Sequence, residues 1–273
     1  MIGMDNVAEQ LNDVMAHQLE IQEKEAAGMK MPPGESPHMI MGGPPGTGKS
    51  TVAAHIADAY SLMGITGSSK QPVPKRPSDL IGDAMGVTEK NTKDALAEAD
   101  QGVLLIDEAH QLADSKYGRK VIETLLAPMA DKNDKTVVIL AGYGDKLEKT
   151  LKVDPGFGSR FQSRIDFRPY TADELSEITR RNVAANNDTQ DDDAEEAMDD
   201  AMELIATNPE GANVRDANQM LAWANVARRK RNTPNVPLKE RSVLIPADWM
   251  QAAETYKMNM KRAANAEEPE NLN

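Results

Sequence analysis

Two short runs in this sequence combine residue types that could handle phosphate. Gly43 to Ser50 reads GPPGTGKS, a match to G-x-x-x-x-G-K-[ST] set between an apolar run and an amphipathic one. Glycines there let backbone N–H groups close around phosphate oxygens without side chains in the way, and the positive end of a following helix adds attraction. The binding loop is then Gly43, Pro44, Pro45, Gly46, Thr47, Gly48, Lys49 and Ser50, with Thr51 next. Lys49 would reach the β- and γ-phosphates and the Ser50 hydroxyl would ligate magnesium. The second run, VLLIDEAH, ends four apolar residues in Asp107 and Glu108, 58 residues (107 minus 49) after Lys49. Asp107 would hold magnesium through water, and Glu108 would orient and polarise a water for in-line attack on a phosphoryl group. The chemistry that these types permit is binding and hydrolysis of Mg-ATP.

Those residues need strands and helices to place them. His38 to Met41 reads as a short buried strand running into the Gly/Pro loop, with a helix from Lys49. Val103 to Ile106 and Val137 to Ala141 read as strands buried on both faces, with helical patterns between. Strand carboxyl ends are where open α/β sheets bind ligands, and the loop and the carboxylate pair both fall there. Asn6 followed by Glu9 is a helix-start signature for a first helix ending near Gly28, and MKMPPGESP is a turn-rich connector. Gly64 to Pro77, with Pro72, Pro74 and Pro77, reads as a loop in which any strand is short or at an edge.

After Tyr170 the pattern changes to helices alone: Ala172 to Ala185, Asp193 to Ala206, Val214 to Arg231 and Ala247 to Ala264. The expected organisation is an α/β nucleotide-binding domain with a parallel sheet over 1–170, a small all-helical lid over 171–265, and a disordered tail over 266–273. The acidic stretch 186–193 reads as a solvated connection between helices.

Composition narrows the functions. With 40% hydrophobic residues over 273 positions there is material for a real core, and no run approaches the roughly 18 apolar residues that span a bilayer. The start, MIGMDNVAEQ, lacks the regions of a signal peptide, so a cytoplasmic location is expected. The absence of cysteine excludes disulfides, thiolate zinc sites and cysteine nucleophiles. A net charge of -13 argues against nucleic acid as the main partner. The basic run Arg228 to Arg231 ends an amphipathic helix, where cations suit the helix dipole.

Taken together, GPPGTGKS, VLLIDEAH, GFGSRF and GANVRDAN resemble the AAA+ ATPases over essentially residues 1 to 260. IGMDNV, DLIGDAMGVTEKNT, VVILAGYGDKL and DPGFGSRF are similar to the branch of red-type rubisco activases and the cytosolic ATPases of type VII secretion. The secretion ATPases carry a helical domain before the AAA+ module, so the resemblance is to a bare motor. It implies a hexameric ring with ATP between subunits and roles that spacing alone does not give. Arg160 resembles the finger that enters the neighbouring subunit's ATP site, Arg164 is a second candidate, and Gly158 stands where the family usually has a further arginine. Arg215 resembles the sensor-2 arginine, Tyr143 takes the usual sensor-1 place, and Ile2 and Gly3 resemble the segment lining the adenine pocket. The bland alternative for each arginine is a salt-bridged surface residue.

One departure bears on function. Where the branch places an aromatic residue in its central-pore loop, this sequence has Ala84 followed by Met85, which offers less apolar area for gripping a threaded chain. Two accounts follow: a ring ATPase that remodels or repositions a partner protein, or an ATP-gated loader with little threading. DEAH also spells a helicase box, but a helicase of that type needs a second RecA-like domain that the helical second half does not supply. His110 reads as a helix-start residue near the site.

Overall fold

The computed structural model describes residues 2–29, 35–68, 70–131, 133–232 and 235–267 of the protein and divides into two compact units. One comprises Met4–Pro44 and Gly48–Arg168; the other takes the residues up to Gly3, Pro45–Thr47 and the chain from Pro169 onward.

In the first unit, apolar runs become the strands β1 (Met39–Gly42), β3 (Val103–Ile106) and β4 (Val137–Gly142), buried at every residue, as parallel strands covered on both faces are. With β2 (Val73–Lys75) and β5 (Ser163–Asp166) they form a parallel sheet in the order β2-β3-β4-β1-β5. The helices are α1 (Asp5–Ala26), α2 (Lys49–Leu62), the short α3 (Pro77–Leu80), α4 (Met85–Glu98), α5 (Gln111–Asp114), α6 (Gly118–Ala130), α7 (Gly144–Leu151) and α8 (Pro155–Gly158). On α2 the residues Val52, Ala53, Ile56, Ala57 and Tyr60 are buried, an apolar stripe at helical spacing. Ile40, Leu104, Ile106, Leu140, Ile122, Leu125 and Phe157 belong to the main core.

The second unit holds α9 (Ala172–Ala185), α10 (Asp192–Ala206), α11 (Val214–Arg231), α12 (Leu238–Arg241) and α13 (Pro246–Glu267). Thr171 opens α9 with a capping box: Thr171 Oγ1 accepts from the Glu174 N–H, and the Glu174 carboxylate accepts from the Thr171 N–H. Arg180 of α9 joins α10 through Asp199 at 2.8 and 2.9 Å and Glu195 at 3.3 Å. Such half-exposed pairs contribute about 0–1 kcal/mol, whereas burying an aromatic as fully as Trp249 is buried contributes about 1.5–3 kcal/mol. Apolar packing of α13 on its neighbours therefore outweighs the ion pairs. Two cations of the basic run are used inside the unit, Arg228 on Asp188 and Arg231 on Asp248.

The structure corrects several sequence expectations. Helix α1 starts at Asp5 with no side-chain cap; Asn6 Nδ2 instead donates to the Asp166 carbonyl at 3.1 Å, a long-range bond in place of a local one. The stretch read as a loop between Gly64 and Pro77 contains β2, an edge strand that accommodates Pro74. The second unit is not all-helical: β6 (Thr189–Gln190), inside the acidic connection, pairs in parallel with β7 (Val243–Leu244). Two-residue strands are too short to impress a period on the sequence. Helix α13 also includes Ala266 and Glu267, read as the start of the tail, while residues 268–273, like 30–34 of the connector, lie outside the described residues. Among the described residues no helix is long and apolar enough to cross a membrane.

Candidate nucleotide site

The parallel register brings the carboxyl ends of β1 and β3 to one edge of the sheet, each with β4 as neighbour. The phosphate loop follows β1. Its Gly43 N–H continues the ladder to the Gly142 carbonyl at 3.0 Å, and a Cβ on Gly43 would lie 2.5 Å from the Phe167 carbonyl oxygen, so only glycine fits. Lys49, the first residue of α2, is buried, and its Nζ donates to the Gly43 and Pro44 carbonyls at 2.8 and 2.6 Å. The ammonium is thus held over the loop by the loop itself. Ser50 and Thr51 are exposed in the first turn of α2.

Asp107 extends β3 by donating its N–H to Lys75 at 2.8 Å, and its Oδ1 accepts the Glu108 N–H at 3.0 Å. Glu108 stands at φ 55°, in the left-handed region that a glutamate seldom adopts, and its Oε2 accepts from Gln111 Nε2 at 2.8 Å. The Glu108 carboxylate is thus tied to Gln111, the first residue of α5. A serine hydroxyl and a carboxylate are hard oxygen donors of the kind magnesium takes, with the rest of its shell from water and phosphate, so Ser50 and Asp107 fit that ion.

Tyr143 precedes α7 and is 43% exposed. Its ring meets His110 edge-on at 5.3 Å, with Lys146 Nζ 4.9 Å from the ring centre. Burial, followed by the Lys146 charge, lowers the His110 pKa, and a Cβ on Gly142 would come within 2.9 Å of His110 Nδ1. His110 is thus more than a helix-start residue: it packs beside both Tyr143 and the carboxylate pair.

The two arginines before and within β5 differ. Arg164 is engaged, with Nε 2.9 Å from Asp166 and Nη1 2.8 Å from Glu148. Arg160 pairs with no carboxylate among the described residues, and its buried Nε has no hydrogen-bond partner there. Asp154 holds the turn that carries it by accepting from the Gly156 and Phe157 N–H groups, and Phe157 packs edge-on against Phe161 at 4.9 Å. Arg160 borders a cavity of about 840 Å³ also lined by His38, Ile21, Ile65 and Met129. It precedes β5 as His38 precedes β1, so it lies at the amino edge of the sheet, away from Glu108.

His38 is buried, and its Nδ1 accepts the Val138 N–H at 3.0 Å, which requires the neutral ring. Burial and then the Arg160 charge push its pKa down from 6.5 to about 4. Because the folded value is the lower one, this stability is complete above pH 6.5 and is lost as pH falls through 4, amounting to about 3 kcal/mol. His38→Asn, whose Oδ1 can take the same N–H without titrating, is expected to flatten the urea-denaturation free energy between pH 6.5 and 4 by about one proton's slope. An unchanged slope would remove His38 as its source.

In the second unit, Gly46 of the phosphate loop lies against the turn before α11: a Cβ there would be 1.7 Å from the Ala212 carbonyl oxygen and 3.2 Å from Arg215 Cβ. Arg215 is exposed in the first turn of α11. Ile2 and Gly3 form a turn at φ 64°, with the Glu174 carboxyl carbon 2.7 Å from where a Gly3 Cβ would be.

Comparison with known proteins settles the family. Residues 39–169 match the ATPase family associated with various cellular activities (AAA). The protein CbxX (chromosomal) of Cupriavidus necator is 33% identical over 235 residues, covering 85% of this chain and 74% of that protein. The chain belongs to the AAA ATPases. ATP hydrolysis is the reaction that membership assigns to it. This AAA ATPase is also 36% identical over 186 residues to the ESX-3 secretion system protein EccA3 of Mycolicibacterium smegmatis, covering 66% of the chain but 30% of that protein. It therefore spans about a third of the secretion relatives' length. A solved structure described as "Structural Basis for Katanin Self-Assembly" superposes with a TM-score of 0.58 at 18% identity, covering 93% of this chain and 82% of that one, which shows a shared fold.

Sequence reasoning gave this AAA ATPase no role for Asn213. It lies in the quoted segment GANVRDAN, and the signal was an asparagine just before a helix whose side chain turns out to do something other than cap it.

Proposed function

We propose that this chain binds Mg-ATP on the Gly43–Ser50 loop and couples its hydrolysis, in a ring of six copies, to remodelling or repositioning a partner protein in the cytoplasm. The observation that carries the reading is the common sheet edge shared by the phosphate loop after β1 and the Asp107–Glu108 pair after β3. Lys49 would neutralise the β- and γ-phosphates, and Glu108 would take a proton from the attacking water. Ser50 and Asp107 would hold magnesium, which supplies charge neutralisation on the phosphate oxygens. Arg215 would touch the γ-phosphate from the helical unit, Tyr143 would sense it, and Ile2 and Gly3 would line the adenine. Arg160, lacking a carboxylate partner among the described residues, would serve the neighbouring copy's site. Phosphate release from purified protein with Mg-ATP, set against the Lys49→Ala form, tests the core of this: equal release from both would sink it.

A second reading, an ATP-gated loader that grips no threaded chain, is favoured by Ala84, exposed just before α4 with only a methyl group to offer. Its neighbours are better suited, Met85 being 59% and Val87 47% exposed. The turn is braced, since Thr88 Oγ1 accepts the Gly82 N–H at 3.0 Å. Met85 is flexible and polarizable, so it can adapt to an irregular surface. With the partner that co-purifies with the ATP-held Glu108→Gln form, Met85→Ala is expected to abolish partner-stimulated ATPase activity and leave basal turnover within about twofold, as an exposed position away from the nucleotide should. Unchanged stimulation would favour the loader.

A further inference from the structure

Pro44 and Pro45 have no N–H, and the Gly43 N–H is spent on Gly142, so the first backbone donor the loop can offer a phosphate is that of Gly46. A trans peptide is planar, with its C=O and N–H opposed. Whatever fixes the Pro45 carbonyl therefore fixes the aim of the Gly46 N–H. Asn213 does this: its Nδ2 donates to the Pro45 carbonyl at 3.1 Å, while its Oδ1 accepts the Tyr170 N–H at 2.9 Å. Because the Tyr170 N–H can meet only the amide oxygen, the side chain cannot be turned over without losing both bonds.

Two further features separate this from ordinary helix capping. Asn213 occupies the position before α11, where an asparagine usually caps, yet its side chain makes no capping bond. It is also buried and stands at φ 51°, ψ -124°, a conformation that favours glycine. A side chain kept there against that preference points to a use for the amide itself.

We propose that Asn213 is a positioning residue for nucleotide, holding the Pro45–Gly46 peptide so that the Gly46 N–H faces the bound phosphate. The inference rests on the nucleotide-binding reading above.

Glycine suits the backbone at 213, so Asn213→Gly should fold and melt close to the parent while losing the hold on Pro45. Binding of a fluorescent ATP analogue to the full chain is expected to weaken about tenfold, the worth of one such hydrogen bond. The KM for ATP should rise in step, with kcat at saturation nearly unchanged. Asn213→Asp keeps the acceptor for Tyr170 but sets a carboxylate oxygen against the Pro45 carbonyl, so it should bind more weakly still; it decides the matter if the glycine form does not fold. Parent-like affinity and KM in a folded variant would overturn the positioning role alone. If the parent itself binds the analogue no better than Lys49→Ala, the nucleotide reading falls and takes this inference with it.

Discussion

Glu108→Gln is expected to hold ATP about as well as the parent while its turnover falls by about 10²–10⁴-fold, the range for loss of a positioned general base. The amide is nearly isosteric with the carboxylate and can keep the contact with Gln111, where Glu108 Oε2 lies 2.8 Å from Gln111 Nε2. The left-handed turn at residue 108 is a backbone property and should survive too. What would be lost is the negative charge proposed above to polarise the attacking water. Lys49→Ala should fail earlier, at binding, because it removes a buried ammonium that the Gly43 and Pro44 carbonyls hold against the loop. Equilibrium titration with a fluorescent ATP analogue beside a phosphate-release assay separates the two. Normal turnover in Glu108→Gln would strip that residue of its role, whatever the binding result.

Arg160→Ala should bind ATP normally and lose about 10³–10⁵ in kcat, the worth of an arginine that spreads transition-state charge. Arg160 and the Asp107–Glu108 pair lie at opposite edges of one sheet, so the guanidinium cannot serve its own copy's nucleotide without unravelling the turn that Asp154, Phe157 and Phe161 hold. The test is mixing. Arg160→Ala and Lys49→Ala proteins, each inactive alone, should regain activity in mixed assemblies, because some interfaces then combine an intact loop with an intact finger. No recovery in confirmed mixed assemblies would count against a role in trans. Arg164→Ala serves as the contrast: its charge is already spent on Asp166 and Glu148, so it should cost stability before chemistry.

What could be read from the sequence follows from how local each signal is. The candidate phosphate loop and the carboxylate pair were legible because each is a contiguous run, and β1, β3 and β4 because strands buried on both faces are written as unbroken apolar runs. The edge strand β2, with Pro74 at its centre, carries no such run, and β6 and β7 are two residues each. Asn6 looked like a cap because its local pattern fits one, but Asp166, 160 residues away, competes for the same amide. Asn213 was missed for that reason also, and His110 was read as a helix-start residue without its ring contact. Their significance lies in Pro45, Tyr170 and Tyr143, to which no spacing in the chain connects them.

The two prolines of the phosphate loop have a consequence beyond their missing donors. Each ring restricts its own φ, and Pro45 also restricts Pro44 before it, so the chain entering the loop samples few conformations even when unfolded. Together with the amide that anchors Pro45, this leaves little loop entropy for an arriving anion to remove. Replacing Pro44 or Pro45 by alanine would shift that entropy back to the binding step. Such a loop would show a more unfavourable binding entropy at unchanged contacts, a signature that calorimetry across temperature can read directly.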